Sequence, residues 1–233
     1  PQRVPDPGII TLLRNILAGS REPFFIAGRL QNEEDALAVG NLARSLNIPL
    51  YADLSSGLRF DASLNPLQLA FQSSLFPEKF RPDTVVHFGG PLIARHPAAA
   101  IRQWDPENFI VVKPHANRFG PDHNVTLSIE ASPALVARAM AGCRKPLELQ
   151  SFPLPATFFS RAEECIERYC IAENPVSEIA AARIVSKLIT GEEGLFLSNS
   201  MPVRDMDMYA SASQPACFMT GTNRGASGID GII

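Results

Sequence analysis

Nearly continuous apolar runs alternate with segments of helical periodicity along the first two-thirds of the chain, and this alternation limits the fold more than any other feature. Phe24-Phe25-Ile26-Ala27 (ending at Gly28), Pro49-Leu50-Tyr51-Ala52, Thr84-Val85-Val86-His87-Phe88 and Phe109-Ile110-Val111-Val112 are the strand candidates. Strands of this kind are covered on both faces, as in a parallel sheet between helices. After the first of them, Asn32 caps a helix whose opening turn, Glu33-Glu34-Asp35, is acidic, as the helix dipole favours. Ala36, Val39, Ala43 and Leu46 give that helix one apolar face. Further helical patterns cover Asn65–Ser74, Pro97–Trp104 and Pro133–Ala141. The expected fold class is α/β: a doubly wound, Rossmann-like parallel sheet over residues 1–145.

From Lys145 to Pro155 the sequence reads KPLELQSFPLP, with three prolines in eleven positions. Proline lacks an amide donor and restricts its predecessor, so residues 146–157 are expected to form an extended linker. Beyond it the pattern predicts a helix over Phe158–Ala172, then a second with Asn174 as cap and Pro175 at its first position. Ala181, Ile184, Val185 and Leu188 are the expected buried stripe of that second helix. A strand at Leu195-Phe196-Leu197, a helix from Met201 and a strand at Ala216-Cys217-Phe218-Met219 follow. Residues 158–233 thus read as the opening, and not the whole, of a second α/β domain.

Composition narrows the function. The 233 residues are 45% hydrophobic and 19% charged, enough apolar material for a packed core. The net charge of −3 excludes the broad basic field of a dedicated nucleic-acid binder. No apolar run reaches the roughly 18 residues of a membrane helix, and Pro1 to Pro7 carry no secretory pattern. Four cysteines without a CxxC pair fit reduced thiols, so the expected compartment is cytoplasmic. His87, His96, His115 and His123 lack ligand spacing, and no metal site is expected from them. Trp104 is expected to pack between helix and sheet.

Two loops are placed for chemistry. Ser198-Asn199-Ser200 joins a strand to a helix start at Met201-Pro202, and Gly221-Thr222-Asn223-Arg224-Gly225-Ala226-Ser227-Gly228 follows the next strand. In open α/β sheets ligands bind beyond the carboxyl ends of strands, and helix N-termini there favour anions. Arg204 and Arg224 would offer planar forks to carboxylate or phosphate oxygens. The alternative for Arg204 is a solvated pairing with Asp205 or Asp207.

The strings Ser198-Asn199-Ser200-Met201-Pro202-Val203-Arg204-Asp205 and Asn223-Arg224-Gly225-Ala226-Ser227-Gly228-Ile229-Asp230-Gly231 resemble those of the 2-succinyl-5-enolpyruvyl-6-hydroxy-3-cyclohexene-1-carboxylate synthase family, thiamine-diphosphate enzymes of menaquinone and phylloquinone biosynthesis. The resemblance extends upstream through Asp53-Leu54-Ser55-Ser56-Gly57-Leu58-Arg59 and Asn117-Arg118-Phe119-Gly120-Pro121-Asp122-His123. It implies a central domain followed by the start of a diphosphate-binding domain. It also implies thiamine diphosphate and Mg2+ as cofactors, decarboxylation of 2-oxoglutarate, and addition of the product to isochorismate. Asn199, Ser200, Arg204 and Arg224 would contact these small-molecule dicarboxylates, and Ile229 would lie against the cofactor. Arg95 would keep one charge of a basic pair reaching the substrate, while His96 departs from the family's arginine. The family's activating glutamate and its GDG-type metal motif are not found, so the chain alone is expected to be inactive. Its implied partners are the missing pyrimidine- and diphosphate-binding domains, and further copies of the complete protein. A plastid origin would move the expected compartment to the stroma. The rival readings are another thiamine-diphosphate-dependent carboligase or decarboxylase, and a non-catalytic metabolite-binding module.

Overall fold

The computed structural model describes residues 3–61, 63–64, 67–116, 124–143, 147, 156–172, 176–189, 193–212 and 220–222. The first unit runs α1 (Pro7–Gly19), β1 (Pro23–Ala27), α2 (Glu33–Leu46), β2 (Leu50–Ala52), α3 (Leu75–Lys79), β3 (Thr84–Phe88), α4 (His96–Trp104), β4 (Asn108–Lys113), β5 (Leu127–Glu130) and α5 (Pro133–Ala141). Its strands form a five-stranded, all-parallel sheet in the order β2-β1-β3-β4-β5. This is the doubly wound α/β class expected from the sequence.

Alternation along each buried strand splits the core into two layers. Phe25, Ala27, Val86, Phe88, Ile110 and Val112 face Leu13, Leu17, Val39, Leu42 and Met140 of α1, α2 and α5. Phe24, Ile26, Val85 and Val111 face an aromatic layer built from Tyr51, Phe71, Phe76, Phe80 and Trp104. There Phe24 lies 5.5 Å from Phe80 and 5.6 Å from Trp104, edge-on to both, as ring quadrupoles prefer. Trp104 thus packs between α4 and the sheet as expected.

The strand order reverses between β1 and β3, where such sheets usually open a ligand crevice. Here the two loops meet backbone to backbone. Gly28 N donates to Phe88 O, and Gly90 N donates to Arg29 O at 2.8 Å. A Cβ on Gly28 would stand 2.0 Å from Gly90 O and 2.8 Å from His87 Nε2. Gly28→Ala is therefore expected to destabilise the chain by roughly 1–3 kcal/mol, through overpacking that neither loop can relieve. Urea unfolding checks this, and an unchanged midpoint would remove the glycine requirement.

The second unit comprises α6 (Ala156–Ala172), α7 (Glu178–Leu188), β6 (Leu195–Leu197), α8 (Met201–Tyr209) and β7 (Thr220–Thr222), with β6 and β7 parallel. It packs on the first unit through Leu54 and Phe60, which share an apolar cluster with Ala182, Leu197, Val203, Met206 and Ala210.

Several sequence expectations change. A helix over Asn65–Ser74 is not formed: the described part carries a 3-10 turn at Ala70–Gln72, and the helix is α3, further on. Leu67, Ala70 and Phe71 are apolar because this irregular stretch plugs the aromatic layer. Helix α7 is capped by Ser177, whose side chain accepts from Ala180 N, while Asn174 and Pro175 lie outside the described residues. Its buried face is Ala180, Ala182, Arg183 and Ser186, leaving Ala181, Ile184, Val185 and Leu188 exposed. Arg183 turns inward because Glu163 and Glu167 pair with it and Tyr209 O accepts from it. Gly221 and Thr222 belong to β7 and not to the loop after it, whereas Ala216–Met219 lie outside the described residues. Helix α1 and strand β5 have no counterpart among the sequence expectations. The proline-rich stretch is outside the described residues apart from Leu147 and residues 156 and 157, which already belong to α6.

Candidate active site

Arg204, Asp207 and Met208 stand at i, i+3 and i+4 on α8 and so share one face of that helix. That face closes one side of a cavity of about 320 Å³. The other walls are Tyr51, Gln68, Phe71 and Gln72, and the run from Ile93 to Pro97 that leads from β3 into α4. The cavity therefore lies beyond the carboxyl ends of β2 and β3, beside the closed glycine contact.

Arg95 occupies the cap position of α4, yet its side chain makes no capping hydrogen bond. Both Arg95 and Arg204 are exposed, and among the described residues neither forms an ion pair within 4 Å. Of the two pairings open to Arg204, that with Asp207 is not made, because the Asp207 carboxylate is turned inward, and Asp205 feels the Arg204 charge without an ion pair within 4 Å. Two guanidinium groups from segments more than a hundred residues apart line one cavity with His96 beside them. Guanidinium groups so placed are suited to carboxylates, by charge and by the planar fork each offers.

Asn199 and Ser200 form the turn before α8 and do not line the cavity. Ser200 has φ 75° and ψ −126°, a conformation that side chains resist, and its hydroxyl does not cap the helix. Backbone strain of this kind costs on the order of 1–3 kcal/mol and clusters at functional turns. Ser200→Gly is expected to raise stability by about 1 kcal/mol after the entropy cost of glycine. A urea melt checks it; a fall in stability would mean the turn is not strained. Arg224 and Ile229 lie outside the described residues.

Under the cavity floor lies a buried ionic cluster that sequence reasoning did not assign to the site. Asp207 Oδ1 accepts from Leu54 N at 2.8 Å, and Tyr51 OH donates to Oδ2 at 3.2 Å. Arg59 donates to the carbonyls that end α8: Nε to Asp207 O at 2.6 Å, and Nη2 to Met208 O at 3.3 Å and Ala210 O at 2.9 Å. These are carbonyls a helix end leaves unpaired, and a cation is favoured there. Asp53 Oδ2 accepts from Ile93 N at 2.7 Å and Oδ1 from Ser55 N at 2.9 Å. Burial, and then the nearby Asp53 charge, push the Asp207 carboxyl up to about 7 against the pull of Arg59. Burial also raises Asp53, although hydrogen bonds from Ser55 and Ile93 oppose this. The available signal was Asp53 directly after an apolar strand, with Arg59 six residues on.

His87, at the centre of the sheet, is held near pKa 4 by burial, with Nε2–H donating to Gly90 O at 2.8 Å. It is a neutral structural residue. Among the described residues no group of three His, Cys, Asp or Glu is placed to hold a metal ion.

A five-stranded, all-parallel unit with an arginine-lined cavity beyond its strand ends is the doubly wound architecture that a domain of a thiamine-diphosphate enzyme takes. Residues 21–197 match the family described as "Middle domain of thiamine pyrophosphate", and the chain belongs to that family. Along its whole length it is 70% identical to a 2-succinyl-5-enolpyruvyl-6-hydroxy-3-cyclohexene-1-carboxylate synthase of Chlorobium limicola, and 56% identical to one of Pelodictyon phaeoclathratiforme. It covers 40% and 39% of those two proteins, so it spans about two-fifths of the curated relatives it matches. Benzoylformate decarboxylase from Polynucleobacter necessarius has the same fold at TM-score 0.53 and 16% identity, over 94% of this chain and 41% of that one. No helix among the described residues is long and apolar enough to cross a membrane.

Proposed function

We propose that this chain supplies the dicarboxylate-receiving wall of a 2-succinyl-5-enolpyruvyl-6-hydroxy-3-cyclohexene-1-carboxylate synthase, a transferase acting on 2-oxoglutarate and isochorismate. The observation that carries this reading is that Arg95 and Arg204, from separate segments of the chain, line one cavity. Both substrates bring carboxylates that are ionised at neutral pH, and each guanidinium can hold one in a fork. The turn at Asn199 and Ser200 would add polar contacts at the N-terminal end of α8, where unpaired amides favour anions. Arg224 would bring a third guanidinium and Ile229 an apolar wall toward the cofactor.

Thiamine diphosphate, when bound, supplies the electron sink for decarboxylation and carbon–carbon bond formation. In this reading the part of the described residues is to bind, orient and neutralise the substrates. The remaining machinery, and association with further copies, belongs to segments that the longer relatives carry.

The test exchanges this chain for the matching stretch of the Chlorobium limicola relative. The chimera is supplied with thiamine diphosphate, Mg2+, 2-oxoglutarate and isochorismate, and the loss of isochorismate is followed. Turnover near the parent's rate supports the reading, and a folded chimera without turnover overturns it. Under the same conditions the chain on its own is expected to leave isochorismate unconsumed.

A further inference from the structure

The cavity's two arginines sit on separate arms, and one buried cluster grips both. Asp53 holds the arm after β3 by accepting from Ile93 N, two residues before Arg95. Asp207 holds α8 by accepting from Leu54 N, the residue after Asp53 in the chain. Arg59 completes the grip with its three bonds to the carbonyl end of α8. Asp53, Arg59 and Asp207 are 0%, 2% and 3% exposed, so water does not substitute for any of these contacts.

We propose that Asp53 and Asp207, with Tyr51 and Arg59, form a positioning latch that sets Arg95 against Arg204 and so fixes the width of the anion cavity. This rests on the reading of the cavity as the dicarboxylate site. The four residues are not catalytic: they act through the backbone of Ile93 and through α8.

The chemistry of the latch makes it sensitive to protons near neutrality. Asp53 accepts from Ser55 N, Ser55 Oγ, Ile93 N and Ala94 N, and is the better anion of the pair. Asp207 has two donors, and Arg59 answers its charge through carbonyl oxygens and not through a direct pair with the carboxylate. Arg59 Nη1 finds no hydrogen-bond partner among the described residues. The groups that act on the pair are Tyr51 and Arg59 from the first unit, with Glu163 on α6 and Arg183 on α7 acting on Arg59. While the pair keeps one proton, on Asp207, both arms are held. When that proton leaves, two buried like charges push the arms apart. With the Asp207 carboxyl raised to about 7, first by burial and then by Asp53, the pair loses this proton as pH rises through neutrality.

Amide hydrogen exchange on the intact chain tests the latch directly, with peptides covering 91–96 and 201–209 compared at pH 6 and pH 8 after correction for intrinsic rates. Protection in both peptides is expected to drop at least about fivefold at pH 8, the lower end of ordinary coupling between sites. This comparison needs no variant to fold. Asp207→Asn mimics the protonated form and is expected to keep the pH 6 protection at pH 8. Arg59→Lys retains the charge but not the three-carbonyl reach, and is expected to loosen 201–209 at both pH values. In the active chimera, KM for the dicarboxylates is expected to rise about fivefold or more between pH 6 and 8 with kcat little changed, and Asp207→Asn to flatten that rise. Equal corrected protection at both pH values, or an Asp207→Asn profile that follows wild type, would overturn the latch. A wild-type chimera without turnover would overturn the proposed function alone, because the exchange measurement decides the latch by itself.

Discussion

In the chimera, Arg204→Ala lowers kcat/KM by roughly ten- to a few-hundredfold, with Arg95→Ala in the same range. A charge-assisted, forked bond to a carboxylate contributes about 1.5–3 kcal/mol, and each 1.4 kcal/mol is a decade in rate or affinity. Both side chains are exposed and make no ion pair among the described residues, so alanine removes no internal contact that holds the fold. Stability should therefore stay within about 0.5 kcal/mol of wild type. Lysine keeps the charge without the planar fork and is expected to fall between wild type and alanine. The distribution of the loss is informative too. A rise in KM with kcat intact means the arginine binds ground and transition states alike, whereas an equal fall in kcat and kcat/KM means its bond forms only in the transition state. Steady-state kinetics with both substrates varied, beside a urea melt of each variant, reads all of this. Wild-type kcat/KM in both alanine variants would remove the arginines from the substrate site.

The sheet was legible because its central strands are apolar on both faces, which leaves helix-covered parallel pairing as their outlet. Strand β5 escaped notice for the converse reason: in Leu127-Ser128-Ile129-Glu130 only Ile129 is buried, so the edge strand reads as polar. Helix α1 did carry its signals, with Asp6 capping Gly8 N and Ile9 N and Pro7 at the first position, but they precede every strand and no sheet partner drew attention to them. The stripe of α7 misled because periodicity assumes that a charged side chain faces water, while Arg183 is buried by two glutamates from α6. Arg95 and Arg204 stand out in their motifs, and the fold brings these two to one cavity. The latch was not legible. Asp207 and Leu54 are 153 positions apart, and along the sequence Asp207 is one of two acids on a helix that looks solvated. A pairing of that span is set by the packing of Leu54 and Phe60 against Val203 and Met206, which no local pattern encodes.

That pairing also governs how stability should respond to pH. The Asp207 carboxyl sits near 7 in the folded chain, first through burial and then through Asp53, against about 3.9 in an unfolded one. The folded state therefore holds a proton that the unfolded state has already released. Stability from this group is complete below about pH 4, is lost as pH rises through the interval up to about 7, and is constant beyond. The full swing is at most about 4 kcal/mol, three pKa units at 1.36 kcal/mol each. Other groups slope the opposite way. Glu167, held low by Lys187 and Arg183, contributes stability at neutral pH that is lost as the solution becomes acidic. The wild-type curve alone therefore mixes both signs, and the diagnostic quantity is the difference between Asp207→Asn and wild type. Asparagine can accept from Leu54 N through its carbonyl and donate to the Tyr51 oxygen through its amide, so it keeps both contacts without titrating. Relative to wild type the variant is expected to gain stability steadily from pH 4 to 7, by up to about 4 kcal/mol, and then to hold that gain. Urea melts of the pair at unit steps from pH 4 to 8 measure this. Parallel curves would place the Asp207 carboxyl at its ordinary value, and a gain toward acid would mean that Arg59 outweighs burial and Asp53.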